Sequence, residues 1–258
     1  MKYAIMSDVH ANPAALKTAL ADARALGCEK FAMLGDITGY GYDSKAALDL
    51  VRENFDVVLM GNHDSACLGL EKEQCDLENP NYDIDRKHRA TLTDDDARWL
   101  RSRRPLRTVA GMALAHGDFT EPKEWNYIAG PAIAAANFAA RKESLLFCGH
   151  THRAEVWRLS CGNRISRLSD GRFGDMPHGA PGTVEFKREK GARYIVNVGS
   201  VGYPRHDLCI SYAICDPSAD LLAIRRLPFD FKSYIMEMIS SGNDLPGWLL
   251  FLLASAQG

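Results

Sequence analysis

Short apolar runs and helically spaced apolar positions alternate through the first quarter of the chain. Residues 3–7 form a nearly continuous apolar run, 13–26 place apolar residues at helical spacing, and 30–34 form a second run. Helical spacing returns over 44–53, and 55–60 supply a third run. This βαβαβ order predicts a parallel, layered sheet. In such sheets, sites form outside the carboxyl ends of the strands, and Asp8, Asp36 and Asn62 each directly follow one of the three runs.

The stretch 69–107 is polar and helical in pattern, with Thr93 or Asp94 as N-cap for a helix over 95–101. It reads as a helical insertion over the core, at about residues 70–107. Two more apolar runs, 112–115 and 145–148, end at His116 and at Gly149-His150 in the same strand-then-polar-loop grammar. Beyond Arg153 the pattern alternates, and 155–159, 164–168, 193–198 and 211–215 read as antiparallel strands. Residues 169–182, rich in Gly, Pro and Asp, predict a mobile loop, within a loop insertion at about 160–192. There is no internal repeat and no low-complexity linker, so 1–258 reads as one domain.

Composition agrees: 258 residues, 46% hydrophobic and 25% charged, suit one globular α/β domain. A net charge of −2 provides no global field toward nucleic acid or an anionic membrane, so no stable nucleic-acid partner is expected and any anion must be met locally. The start runs straight into a strand without secretory-signal features, which makes the cytoplasm the expected compartment. The apolar run 248–254 is far short of the ~20 residues that span a bilayer; it reads as a buried or partner-facing helix, compatible with a homo-oligomer. Seven scattered cysteines without a Cys-x-x-Cys pair predict reduced thiols, with Cys67 and Cys148 packed in the core.

Five of the eight histidines, at 10, 63, 116, 150 and 152, sit just past apolar runs beside small or acidic residues. Imidazole, carboxylate and amide oxygen together suit borderline divalent metals such as manganese, iron or zinc; calcium would take nearly all oxygen, and structural zinc mostly sulfur. Singly, Asp8 could cap the helix near Asn12-Pro13, and Asn62 could cap the helix after it. The ordered set is what carries the reading.

Asp8-Val9-His10, Gly35-Asp36, Gly61-Asn62-His63-Asp64, His116-Gly117 and Gly149-His150-Thr151-His152 occur in the order found in the calcineurin-like metallophosphoesterase superfamily. The chain resembles that superfamily over about residues 1–205, because Asn197-Val198-Gly199-Ser200-Val201-Gly202 also resembles the Asn-Pro-Gly-Ser segment of its smaller bacterial phosphodiesterases. The resemblance implies an α/β layered sandwich, βαβαβ in the first half and mixed and antiparallel in the second, with helices on the outer faces. It implies two divalent metal ions (manganese, iron, zinc or nickel), the first on Asp8, His10 and His152, the second on Asn62, His116 and His150, bridged by Asp36. Two cations ~3.5–4 Å apart can share a hydroxide and clamp the phosphoryl oxygens of an in-line displacement.

His63 is the candidate for a role other than ligation, either protonating the leaving oxygen or stabilising phosphoryl charge as an imidazolium; Asp64 is the candidate to orient it. Gly35, Gly61 and Gly149 read as positions where the backbone turns sharply or approaches the ions. Arg205, after Tyr203-Pro204, is a candidate phosphate-binding residue. The arginines at 101, 103, 104 and 107, and at 164, 167 and 172, form a possible basic rim or solvated faces. Trp125, Tyr127, Tyr40 and Tyr42 either stack on a nucleobase or pack. His88, His178 and His206 lie outside the motifs and receive no role.

The Ser/Thr protein phosphatases of the superfamily follow their second aspartate with an Asp-x-x-Asp-Arg-Gly-like segment, whereas Asp36 is followed by Ile37-Thr38-Gly39-Tyr40-Gly41-Tyr42-Asp43. The sequence looks more like the bacterial phosphodiesterases, enlarged by inserts that could act as a substrate-selecting lid. Small phosphodiesters or dinucleoside polyphosphates are then the expected substrates, with a nucleotide phosphomonoesterase as the enzymatic alternative. A non-catalytic scaffold, as in a retromer sorting subunit of similar fold, is disfavoured by His63 and the complete ligand set.

Overall fold

The computed structural model describes residues 1–70, 83–168, 181–205 and 208–240. The first half runs β1 (Tyr3–Met6), α1 (Pro13–Ala25), β2 (Lys30–Met33), α2 (Ser44–Asn54), β3 (Val57–Val58), α3 (Asn62–Cys67), α4 (Asp83–Thr91), α5 (Asp94–Arg101), β4 (Leu106–Val109) and β5 (Met112–Ala115). There follow α6 (Pro131–Ala140), β6 (Leu145–Cys148), β7 (Ala154–Leu159), β8 (Ile165–Arg167), β9 (Gly182–Lys187), β10 (Arg193–Val198), β11 (Cys209–Asp216), β12 (Leu221–Pro228) and α7 (Phe231–Ser240).

Two six-stranded mixed sheets, ordered β3-β2-β1-β11-β12-β9 and β4-β5-β6-β10-β7-β8, lie face to face. Side-chain alternation explains why the strands read as apolar throughout. In the first sheet Tyr3, Ile5, Ala32 and Leu34 point between the sheets, against Met112, Leu114, Leu145 and Phe147 of the second. Their neighbours Ala4, Met6, Phe31 and Met33 point outward, onto Leu16, Leu20, Leu48, Val51 and Leu100 of helices α1, α2 and α5. The outer face of the second sheet, through Ala113, Leu146 and Ile195, packs on Ala134 and Phe138 of α6. The result is the expected layered sandwich with helices outside. Each fully buried large aliphatic chain in it contributes roughly 1.5–3 kcal/mol.

The parallel block β1-β2-β3 is present, and β11 continues it antiparallel to β1. The third run forms a strand of two residues; beyond it Leu59 N–H still donates to Met33 O at 2.8 Å, and Met60 N–H donates to Arg104 O at 3.1 Å on the approach to β4. Local chemistry fixes the helix starts: Asn12 accepts from the Ala15 N–H at 3.0 Å with Pro13 at the first turn, and Thr93 caps α5 in a box with Asp96. The span 160–192 is more than a loop, since β8 and β9 each form an edge of a sheet. Residues 169–180 of that span, 71–82 of the helical insertion and the run 248–254 lie outside the described residues, as do Arg172, His178 and His206. Cys67 and Cys148 are core residues. Among the described residues no helix is long and apolar enough to cross a membrane.

Candidate metal centre

Five strand ends converge on one place. The turn after β1 is stitched to the turn after β2, with Asp8 N–H donating to Gly35 O at 3.0 Å, His10 N–H to Asp36 O at 2.9 Å and Ala11 N–H to Ile37 O at 2.8 Å. Gly149 N–H donates to His116 O at 2.9 Å, joining the ends of β5 and β6 in the same way. The segment after β10 ties both groups together. Asn197 Nδ2 donates to Gly149 O at 2.6 Å, Ser200 Oγ to Asp8 O at 2.8 Å, and Gly202 N–H to Asp8 O at 2.9 Å.

These turns are strained. Asp8, His10, Asp36, His150 and His152 all have φ between 47° and 66°, a left-handed conformation that costs a side-chain-bearing residue about 1 kcal/mol or more. Close approach explains two of the glycines. A Cβ on Gly61 would stand 2.1 Å from Asp36 Oδ1, and one on Gly149 would stand 2.1 Å from Ser7 Oγ and 2.5 Å from Asp8 Oδ2.

The strained turns bring the donor atoms of Asp8, His10, Asp36 and His152 within 4.8 Å of one another, and those of Asp36, His116 and His150 likewise. Asp36 is common to both groups. Asn62 joins the second, its Oδ1 3.1 Å from His116 Nε2. All seven residues expected from the sequence are therefore together, with Asn62 and His150 partly exposed and the other five buried.

The hydrogen bonding suits cations. Each carboxylate has one oxygen tethered by a backbone N–H, Asp8 Oδ2 from His150 at 3.0 Å and Asp36 Oδ1 from His63 at 2.9 Å. The other oxygen of each, Asp8 Oδ1 and Asp36 Oδ2, is buried without a hydrogen-bond partner. His10 Nδ1 faces Thr38 O at 3.0 Å and His152 Nδ1 faces Tyr203 O at 2.6 Å. A carbonyl can only accept, so both rings donate there and both Nε2 lone pairs point into the centre.

Electrostatics agree. Burial pushes Asp8 and Asp36 upward, yet the surrounding imidazoles, His152 and His116 foremost, hold both carboxyls below the ordinary range. Burial depresses His10 and His150 to about 3. His116 moves the other way, to about 9: burial opposes its charge and Asp36 overrides it. Two buried carboxylates held in their charged form call for compensating positive charge beside them.

His63 opens α3 beside the centre, 5.1 Å from His10 between ring centroids. Its Nδ1 faces Asp85, at 3.2 and 3.1 Å from the two oxygens. Asp64, expected to orient it, instead directs Oδ1 to the Ile37 and Thr38 N–H groups and Oδ2 to Gly61 N–H, each at 3.0 Å. It cross-links the turns that carry Asp36 and Asn62. The sequence signal for Asp85 is slight, an Asp-x-x-His pair on a polar helix. Burial opposes protonation of His63, but Asp85 and Asp36 raise its pKa well above the usual value.

At the mouth, Arg205 Nη1 donates to the Tyr127 hydroxyl at 3.3 Å, and the Tyr127 ring lies 4.5 Å from that of His150. Trp125 lies edge-on to His116 at 5.9 Å. Tyr40 stacks on Tyr203 at 4.3 Å, whereas Tyr42 packs on Tyr234 of α7. Arg103 covers Trp99 and Arg167 pairs with Glu155, so these two arginines are engaged with neighbouring side chains.

The fold and this cluster define a metallophosphoesterase-type centre. The calcineurin-like phosphoesterase superfamily domain matches residues 1–220, and the chain belongs to that superfamily. It is 29% identical to protein MJ0912 of Methanocaldococcus jannaschii over 254 residues, which cover 95% of this chain and 94% of that protein. The crystal structure of a metallophosphoesterase from Sphaerobacter thermophilus superposes with a TM-score of 0.78 at 31% identity, covering 98% and 99% of the two chains. Protein PH1004 of Pyrococcus horikoshii shares the fold, with a TM-score of 0.69 at 16% identity over 98% and 97%. Family and cluster together indicate divalent-metal binding.

Proposed function

We propose that the protein is a phosphodiesterase acting on small phosphodiesters or dinucleoside polyphosphates at a dinuclear metal centre. Asp8, His10 and His152 would hold one divalent ion and Asn62, His116 and His150 the other, with Asp36 common to both. The observation that carries this reading is the pair of donor groups meeting at Asp36, each with a buried carboxylate oxygen that lacks a hydrogen-bond partner. A bound pair of divalent ions supplies a water of lowered pKa and charge stabilisation for the phosphoryl group.

The remaining steps belong to side chains of this chain. Arg205 binds a non-bridging phosphoryl oxygen from the mouth, held in place by Tyr127. The Tyr127 and Trp125 rings beside His150 and His116 offer surface to the second organic substituent of a diester, a group that a monoester lacks. His63 uses Nε2, the nitrogen not facing Asp85, to protonate the departing oxygen.

Metal-stripped protein reconstituted separately with manganese, iron, zinc and nickel, then assayed on bis-p-nitrophenyl phosphate, p-nitrophenyl phosphate and diadenosine tetraphosphate, tests the reading. Turnover of the diester or the dinucleotide above the monoester is expected. Turnover of the monoester alone would make the protein a phosphomonoesterase.

A further inference from the structure

Helix α4 belongs to the polar insertion rather than to the sandwich, yet one of its faces reaches the centre. Asp85 and His88, three residues apart and so on one side of the helix, are 0% and 3% exposed. Asp85 offers both oxygens to His63 Nδ1. His88 accepts from Gly39 N–H at 3.1 Å through Nδ1, which makes Nε2 the donor to Gly41 O at 3.0 Å. It thereby spans the turn that carries Tyr40, whose ring lies 4.4 Å from His63 and 4.6 Å from His10. Burying a carboxylate in this way is costly unless a charged or hydrogen-bonding partner compensates, and His63 is that partner.

We infer that Asp85 is a positioning residue for His63. It fixes the ring with Nδ1–H toward α4 and Nε2 toward the substrate, while His88 holds the Tyr40 turn against the other side of the ring. The insertion, and not the sandwich, thus completes the proton-donating half of the site. This rests on the phosphodiesterase reading above. In that reaction the attacking water oxygen forms a bond to phosphorus as the bond to the leaving oxygen breaks. The Nε2 proton passes to the leaving oxygen, and the proton released by the water passes to solvent, from which His63 is reprotonated.

The test compares wild type, Asp85→Asn and Asp85→Glu on two diesters: bis-p-nitrophenyl phosphate, whose leaving group is stable as an anion, and a dinucleoside monophosphate, whose leaving alkoxide needs a proton. Asp85→Asn should lower kcat on the dinucleotide by about 100-fold, in the range of general-acid contributions, with KM and bound metal unchanged and a much smaller loss on the aryl diester. Asp85→Glu should recover part of the loss. Equal losses on both substrates, or an effect on KM alone, would overturn the inference. Nitrogen-15 spectra of the histidine rings give a readout independent of turnover: a deshielded His63 Nδ1 proton in wild type, lost in Asp85→Asn and kept in Asp85→Glu. If wild type hydrolyses neither diester, the functional reading fails while the spectra still decide the positioning; an unchanged His63 signal in both variants rejects it.

Discussion

His10 and His152 face each other with 3.1 Å between their Nε2 atoms, although each ring already donates its Nδ1 proton to a carbonyl. Two lone pairs at that distance repel unless a cation or a proton lies between them. A divalent ion bound there stabilises the folded state in proportion to its occupancy, by about 2.7 kcal/mol at a hundred times its Kd. For a chain of this size that is an upward shift in Tm of roughly 5–10 °C. Differential scanning calorimetry with manganese, iron, zinc and nickel, and then with a chelator, checks it. A melting curve indifferent to all four metals would sink the assignment.

Asp36 contributes to both donor groups, so its loss should not be confined to one ion. Even partners one step removed from a metal cost 10–100-fold when mutated. Asp36→Asn is therefore expected to lower kcat/KM by at least about 100-fold and to reduce the metal content measured by elemental analysis. Full metal content with full activity would show that the carboxylate is not shared.

Gly149 separates the His150 turn from Asp8, and a methyl group there would overlap Ser7 Oγ and Asp8 Oδ2. Asp8 Oδ2 is not free to swing aside, since it accepts from the His150 N–H at 3.0 Å. Gly149→Ala should destabilise the fold by roughly 1–3 kcal/mol and weaken metal binding, because Asp8 must move. Gly130→Ala, where the added atom meets nothing within 4 Å, should leave the metal titration unchanged, with any loss in calorimetry limited to the poorer N-cap it gives α6.

Arg205 stands at the mouth of the site, where its guanidinium donates to the Tyr127 hydroxyl at 3.3 Å. Arg205→Ala should raise KM for a diester by about 10-fold with little change in kcat, the pattern of a lost ground-state contact. Arg205→Lys should recover only part, since an ammonium cannot make the forked contact. A fall in kcat with unchanged KM would move Arg205 into the chemical step.

Much of this site is legible in the sequence because its residues sit where apolar runs stop. Asp8, Asp36, His116 and His150 mark the ends of β1, β2, β5 and β6 within three residues. The partition into two sheets is not legible there: a strand buried on both faces is apolar at every position, so its pattern carries no record of which sheet it joins. Helix α6 was hidden for a related reason, its alanines offering no polar face to set against Phe138. Strand β9 does alternate, burying Val184 and Phe186, but it follows directly on a Gly- and Pro-rich stretch. Asp85 was least visible of all. It lies outside every motif and acquires meaning only when the insertion folds back onto His63.

Away from the centre, Asp22 of α1 latches the helix to the first sheet. Its carboxylate accepts from Arg225 at 3.0 and 2.8 Å and from the Tyr212 hydroxyl at 2.5 Å. Burial alone would push its pKa up; these three bonds outweigh burial and lower it. A carboxylate depressed in the folded state contributes stability that is complete above its unfolded pKa, about 3.9, and is lost as pH falls through that value toward the folded one. At pH 7 Asp22→Asn should therefore cost about 1 kcal/mol, or roughly 2–4 °C in Tm. The gap between variant and wild type should narrow below about pH 4, where the wild-type carboxylate takes up its proton and gives up the advantage. Thermal melts across that range decide it: a gap that stays constant into acid would assign the effect to lost packing rather than to the charge.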